Sequence, residues 1–182
     1  ILLAGGKGRR LRSLISDIPK PMAKIQGRPF IDILLSHIVS QSLKPNKFLI
    51  SVGYKKEIII NYLGNKFRNI PIQYIEEESP LGTGGATLKC LDFLSEKCGI
   101  ILNADTFLDL DYSVLKNNIS QRINTVVTVD VEDTSRYGLI STDENNKVLS
   151  LKEKSSSNKG FINSGCYLFF KKDLLHFPRN KN

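Results

Sequence analysis

Near the front of the chain stand three glycines, Gly5, Gly6 and Gly8, with the cations Lys7, Arg9, Arg10 and Arg12 threaded among and after them. Glycine lets a backbone approach a ligand closely and turn its amides outward, and clustered cations neutralise an anion. The combination suits a phosphate-rich ligand, and it also fits a strand-to-loop turn with solvated basic side chains. A P-loop requires Ser or Thr after its lysine, whereas Lys7 is followed by Gly8. A dinucleotide fingerprint requires a third glycine where Leu11 stands. Neither motif fits. Lys20 follows between Pro19 and Pro21, which stiffen the chain and limit where its ammonium can sit.

Asp105 ends the apolar run ILNAD. A carboxylate there serves as a cap or turn residue, or as a ligand for Mg²⁺, which takes one or two carboxylates together with phosphate oxygens. Asp109 and Asp111 read instead as a turn and a helix start. Glu153-Lys154 and Asn163-Ser164-Gly165 fit a surface ion pair and a β-bulge. As a set they also supply the carboxylate, ammonium and amide groups that a hydroxyl-rich phosphorylated sugar requires.

These residues must be placed by regular elements. Ile1–Ala4, Phe48–Val52, Ile72–Ile75, Gly99–Leu102 and Thr125–Val131 read as strands. Helical patterns lie between them: Phe30–Leu43 (with Phe30, Ile33, Leu34, His37 and Ile38 on one face), Lys56–Leu63, Ala86–Leu94 and a stretch near Asp111–Ile119. This alternation predicts an α/β fold with an open, mostly parallel, Rossmann-like sheet and helices on both faces. Such sheets bind ligands at the carboxyl ends of their strands, where Gly5, Gly53, Gly82 and Asp105 fall. From Tyr137 onward YGLIS, KVLSLKEK and FINSGCYLFF read as added antiparallel strands.

The 182 residues, 41% hydrophobic and 24% charged, suit one globular domain. No apolar stretch reaches transmembrane length, and no signal peptide is recognisable. Cys90, Cys98 and Cys166 have neither metal nor redox spacing, so a reducing cytoplasm is expected. A net charge of +8 suits an anionic ligand and equally nucleic acid, but aromatic stacking clusters are lacking and no nucleic-acid partner is expected. The chain begins at Ile1, inside a strand, and is expected to be a piece of a longer protein.

LLAGGKGRRL with KPM, PLGTGGA, LNADTF, RYGLI, EKS and INSGCYLF occur in that order across nearly the whole chain. The set resembles the sugar-1-phosphate nucleotidyltransferases, and within them the D-glycero-α-D-manno-heptose-1-phosphate and mannose-1-phosphate guanylyltransferases. The resemblance implies one nucleotidyltransferase domain over residues 1–182, lacking its C-terminal part, with a nucleotide-binding portion at 1–135 and a sugar-phosphate-binding portion at 136–182. It implies that GTP and a sugar 1-phosphate give a GDP-sugar and pyrophosphate, with Mg²⁺. The catalytic residues would be Arg10, Lys20 and Asp105, with Asp105 the metal ligand. Leu3, Ala4, Gly5, Gly6, Gly8, Arg10, Glu77, Gly82 and Thr83 would bind nucleotide. Gly138, Glu153, Lys154, Asn163 and Gly165 would bind the sugar phosphate.

Guanine presents N–H donors on its Watson–Crick edge, which a carboxylate accepts, and Glu77 lies in the family's base-reading region. The alternative is that Glu76–Glu78 is a solvated acidic stretch. Arg9 stands where the family usually has a small hydroxylic residue, and Ala104 where it usually has glycine. The family's second metal-binding aspartate belongs to a later segment, unmatched before Asn182. Two other activities stay open: a mannose- or glucose-1-phosphate enzyme using another NTP, and a catalytically silent nucleotide-sugar-binding paralogue.

Overall fold

The computed structural model describes residues 1–6, 17–152 and 159–178. After strand β1 (Leu2–Leu3) come a 3-10 turn over Lys20–Met22 and a short hairpin of β2 (Lys24–Ile25) and β3 (Arg28–Pro29). Helix α1 (Phe30–Ser40), β4 (Phe48–Val52), α2 (Lys56–Leu63), β5 (Lys66–Phe67) and β6 (Ile70–Glu76) follow. Next are α3 (Gly82–Leu91), β7 (Cys98–Asn103), a 3-10 turn (Tyr112–Leu115) and α4 (Lys116–Gln121). The remainder is β8 (Thr125–Val131), β9 (Leu139–Thr142), β10 (Val148–Lys152), β11 (Gly160–Phe170) and α5 (Lys171–Leu174).

A nine-stranded sheet in the order β10-β9-β11-β7-β1-β4-β6-β5, with β8 also on β11, organises the molecule. Its centre is parallel: β1 lies between β4 and β7, and β4 pairs in parallel with β6. The reason is legible in FLISV of β4, where all five residues are buried. A strand covered on both faces needs no polar alternation, which is the mark of a parallel sheet sandwiched by helices. Phe48, Ile50 and Val52 join one core with Ile31, Leu34, Leu35 and Ile38 of α1 and Ile59 of α2. Leu49 joins the other, with Cys90 and Leu91 of α3, Ile75, Ile101 and Phe169.

Three local expectations change. The buried face of α1 is Ile31, Leu34, Leu35 and Ile38, one position away from the row starting at Phe30 and Ile33. His37, placed on that row by the sequence, turns to the loop after β7, where its Nε2 lies 3.3 Å from the Leu110 carbonyl oxygen. Helix α3 begins at Gly82, inside the glycine run, and not at Ala86. Finally β8 does not extend the parallel set. It pairs antiparallel with β11, so the antiparallel flank starts at Thr125 and not at Tyr137.

Strand β11 joins the two regions. Cys166–Phe170 pair with β7, and Phe161 and Ile162 pair with β9. The register shifts between Asn163 and Cys166, the β-bulge that the sequence allowed, with Gly165 at φ +77°. Among the described residues no helix is long and apolar enough to cross a membrane.

Candidate active site

The parallel strands deliver their next residues to one end of the sheet. Ala4 donates its amide to the Ser51 carbonyl, Ala104 to Leu3, and Glu77 to Val52, so the segments after β1, β7 and β6 leave side by side. A cavity of about 850 Å³ opens there. Leu3, Ala4, Gly5 and Gly6 line it from β1, Asn103 and Asp105 from β7, Glu77 and Pro80 from the segment after β6, and Gly82, Thr83 and Ala86 from α3. Lys20 and Pro21 close another wall, and Arg136 reaches in from the turn between β8 and β9.

Lys20 meets Asp105 across this cavity, Nζ to Oδ2 at 2.5 Å. The prolines around the lysine explain its aim. Pro19 and Pro21 are both buried, and the Met22 amide donates to the Pro19 carbonyl at 2.8 Å, so Lys20 sits on a tight turn anchored at either side. Asp105 is carried by a strand end whose preceding residue, Ala104, is wholly buried within the first core. The methyl group that replaces the family's usual glycine is thus absorbed by packing and leaves the cavity clear.

Glu77 is held from two sides. Ser51 Oγ donates to its Oε1 at 2.6 Å, and the Leu81 amide donates to its Oε2 at 3.1 Å. The carboxylate lies so close to the turn after β1 that a Cβ on Gly5 would stand 2.0 Å from Oε1. A Cβ on Gly53 would in turn stand 2.8 Å from the Gly5 carbonyl oxygen. At Gly53 glycine is a packing requirement, because the neighbour is backbone; at Gly5 the neighbour is the end of the Glu77 side chain, so a Cβ there would push the carboxylate from its place. The acidic stretch is therefore divided: Glu76 faces solvent and pairs with Lys56 at 2.5 Å, while Glu77 turns into the cavity.

Of the residues expected to bind nucleotide, Leu3, Ala4, Gly5, Gly6, Glu77, Gly82 and Thr83 line the cavity, with the catalytic candidates Lys20 and Asp105. Gly8, Arg10, Glu153 and Lys154 lie outside the described residues. Gly138, Asn163 and Gly165 do not line the cavity. Asn163 serves the bulge, its Oδ1 accepting the Gly165 amide at 2.9 Å and its Nδ2 donating to the Tyr167 hydroxyl. Gly165 reaches the cavity only indirectly, because a Cβ there would stand 2.4 Å from Asn103 Nδ2. Asp111, read as a helix start, is one: it accepts from the Ser113 amide and hydroxyl, which hold its carboxyl below the usual range. Asn103 and Arg136 were missed from the sequence, although Asn103 precedes Asp105 by two residues and Arg136 opens RYGLI.

Glycine turns, a cation–carboxylate pair and a fixed carboxylate thus gather at the carboxyl end of a parallel sheet, where open α/β sheets bind their ligands. The chain matches the nucleotidyl transferase family over residues 1–181 and belongs to it. It is 41% identical over 171 residues to the D-glycero-alpha-D-manno-heptose 1-phosphate guanylyltransferase of Campylobacter jejuni, covering 94% of this chain and 75% of that one. It is 36% identical to the enzyme of that name from Aneurinibacillus thermoaerophilus, over 92% of this chain and 73% of the relative. Among solved structures, HddC from Yersinia pseudotuberculosis superposes with a TM-score of 0.84 at 36% identity, covering 100% of this chain and 80% of that chain. HddC has also been solved complexed with GMP-PN.

Proposed function

We propose that the chain transfers the guanylyl group of GTP to D-glycero-α-D-manno-heptose 1-phosphate, releasing pyrophosphate. The observation that carries this reading is the gathering of Gly5, Gly6, Lys20, Glu77 and Asp105 around one cavity, in a chain similar to the heptose 1-phosphate guanylyltransferases of Campylobacter jejuni and Aneurinibacillus thermoaerophilus. A phosphate oxygen of the sugar phosphate attacks the α-phosphorus in line. A new P–O bond forms as the bond from the α-phosphorus to the pyrophosphate oxygen breaks. No covalent enzyme intermediate is needed, so the protein's contribution is positioning and charge stabilisation.

Glu77 accepts N–H donors of guanine, and the amides of Gly5, Gly6 and the first turn of α3 face the phosphates and ribose. Lys20 holds phosphate oxygens near the transferred centre and must exchange its present partner, Asp105, for them. Mg²⁺ fits Asp105 on one observation: the carboxylate already accepts a cationic group, the Lys20 ammonium, at 2.5 Å within the cavity. Among the described residues no set of three His, Cys, Asp or Glu side chains is placed around a metal. Asp105 would therefore hold the ion together with phosphate oxygens and water, as Mg²⁺ sites commonly do. When bound, Mg²⁺ supplies charge neutralisation on those phosphates.

By the family pattern Gly8 and Arg10 serve the triphosphate, and Gly138, Glu153, Lys154, Asn163 and Gly165 serve the sugar phosphate. In this assignment residues 1–135 form the nucleotide portion and 136–182 the sugar-phosphate portion, acting in the cytoplasm.

The test uses the full-length protein with Mg²⁺, the four common NTPs and a panel of heptose, mannose and glucose 1-phosphates, following pyrophosphate release. The expected result is the highest kcat/KM with GTP and the heptose phosphate. A preference for UTP, or for mannose or glucose 1-phosphate, would replace the substrate assignment. Silence across the panel with nucleotide still bound would replace the enzyme by a binding paralogue.

A further inference from the structure

The polar exception in the all-buried strand β4 is Ser51, which is fully enclosed at 0% exposure. A buried hydroxyl is costly unless bonded; this one donates to Glu77 Oε1 at 2.6 Å and has the Cys90 thiol as a second hydrogen-bonding neighbour. The register makes that bond possible: Ser51 lies beside Leu3 of β1 and Ile75 of β6, between the two strands whose ends carry Gly5 and Glu77. We propose that Ser51 is a positioning residue for nucleobase recognition, fixing the Glu77 carboxylate so that guanine is selected by its 2-amino group as well as by its ring N–H. This deepens the reading that Glu77 accepts guanine, and it rests on that reading.

Two hydrogen bonds and one gap in the packing fix the orientation of the carboxylate. Ser51 holds Oε1, the Leu81 amide holds Oε2, and the absent Cβ of Gly5 supplies the space in which the group lies. A carboxylate oxygen has more than one acceptor direction, so each can take a further N–H from a ligand in the cavity. Guanine offers two adjacent donors, its N1–H and its 2-amino group. Two parallel acceptors held in a fixed plane are their complement, and base readout by paired contacts is sharper than by one. A carboxylate free to rotate would keep its charge and lose the second contact.

The experiment compares GTP with ITP, which lacks only the 2-amino group, in the full-length enzyme. Ser51→Ala removes the donor, Ser51→Cys keeps the size with a weaker donor, and Ser51→Thr retains the hydroxyl. Ser51→Ala and Ser51→Cys should each lose roughly tenfold of the GTP-over-ITP preference in kcat/KM, the scale of one lost hydrogen bond to a charged group. The loss should fall mainly in nucleotide KM, and Ser51→Thr should restore most of it. Glu77→Gln serves as the reference. If it collapses the preference while Ser51→Ala and Ser51→Cys keep it, the base reading stands and the positioning role of Ser51 is overturned. If Glu77→Gln also keeps the preference, the base assignment and the role of Ser51 fall together.

Discussion

Lys20 and Asp105 show how little a contact's strength says about its purpose. Each side chain is 36% exposed, and an ion pair that open contributes at most about 1 kcal/mol to stability. Its value lies in aim, since both groups point into the cavity where phosphate charge would arrive. Asp105→Asn should therefore leave the thermal midpoint within about 4 °C of the parent, the largest shift expected for a loss of that size at this chain length. Turnover in the same variant should fall at least about 100-fold, as when a group stabilising transition-state charge is removed. Near-normal Mg²⁺-dependent turnover would end the metal assignment. Glu77 is the opposite case, a carboxylate that packing and hydrogen bonds hold so closely that even Gly5 has no room for a methyl group.

The elements divide by how local their causes are. Helix α1 follows from a spacing of i, i+3, i+4 and i+7 that buries one stripe, and its position is readable from sequence to within a turn. The start of α3 is not, because glycine is a poor helix former and GTGG reads as loop until the turn around Glu77 and Leu81 holds it. The bulge in β11 is intermediate. Its NSG sequence permits one, but the partner strands decide that the register breaks there. Gly165→Ala tests it: the residue sits at φ +77°, and a Cβ would press on Asn103 at 2.4 Å. The variant should lose about 1–3 kcal/mol, the range for a strained backbone position, in urea denaturation. It should also weaken substrate use by moving Asn103 in the cavity wall. An unchanged midpoint would mean that β11 can re-register without cost.

At the scale of the whole molecule, two cores sandwich the sheet and enclose two of the three thiols. Burial pushes the Cys166 thiol up to about 12 and the Cys90 thiol up to about 11, and it raises Cys98 to a smaller degree. A raised thiol pKa lowers the thiolate fraction, and the thiolate is the reactive form. At pH 8 iodoacetamide should therefore label Cys98 first, with Cys90 and Cys166 labelled only after denaturation, as read by peptide mass spectrometry. Rapid native labelling of Cys90 would mean that α3 opens readily from the sheet. The expectation joins structure to stability, because both buried cysteines lie beside strands that carry site residues.

By itself the sequence determined the βα alternation, the strands Phe48–Val52 and Thr125–Val131 to the residue, and the set of groups at the strand ends. Those features depend on periodicity and on turn chemistry within a short window, which neighbouring residues dictate. Only the tertiary structure decided that Lys20 meets Asp105 across 85 residues of chain, and that Ser51 holds Glu77 across 26. It alone placed β8 against β11, and it alone drew Asn103 and Arg136 to the cavity. The physical reason is that pairing and register are settled by which apolar faces close against each other, a competition over the whole chain. A window of sequence shows which groups are available; the packing chooses which of them meet.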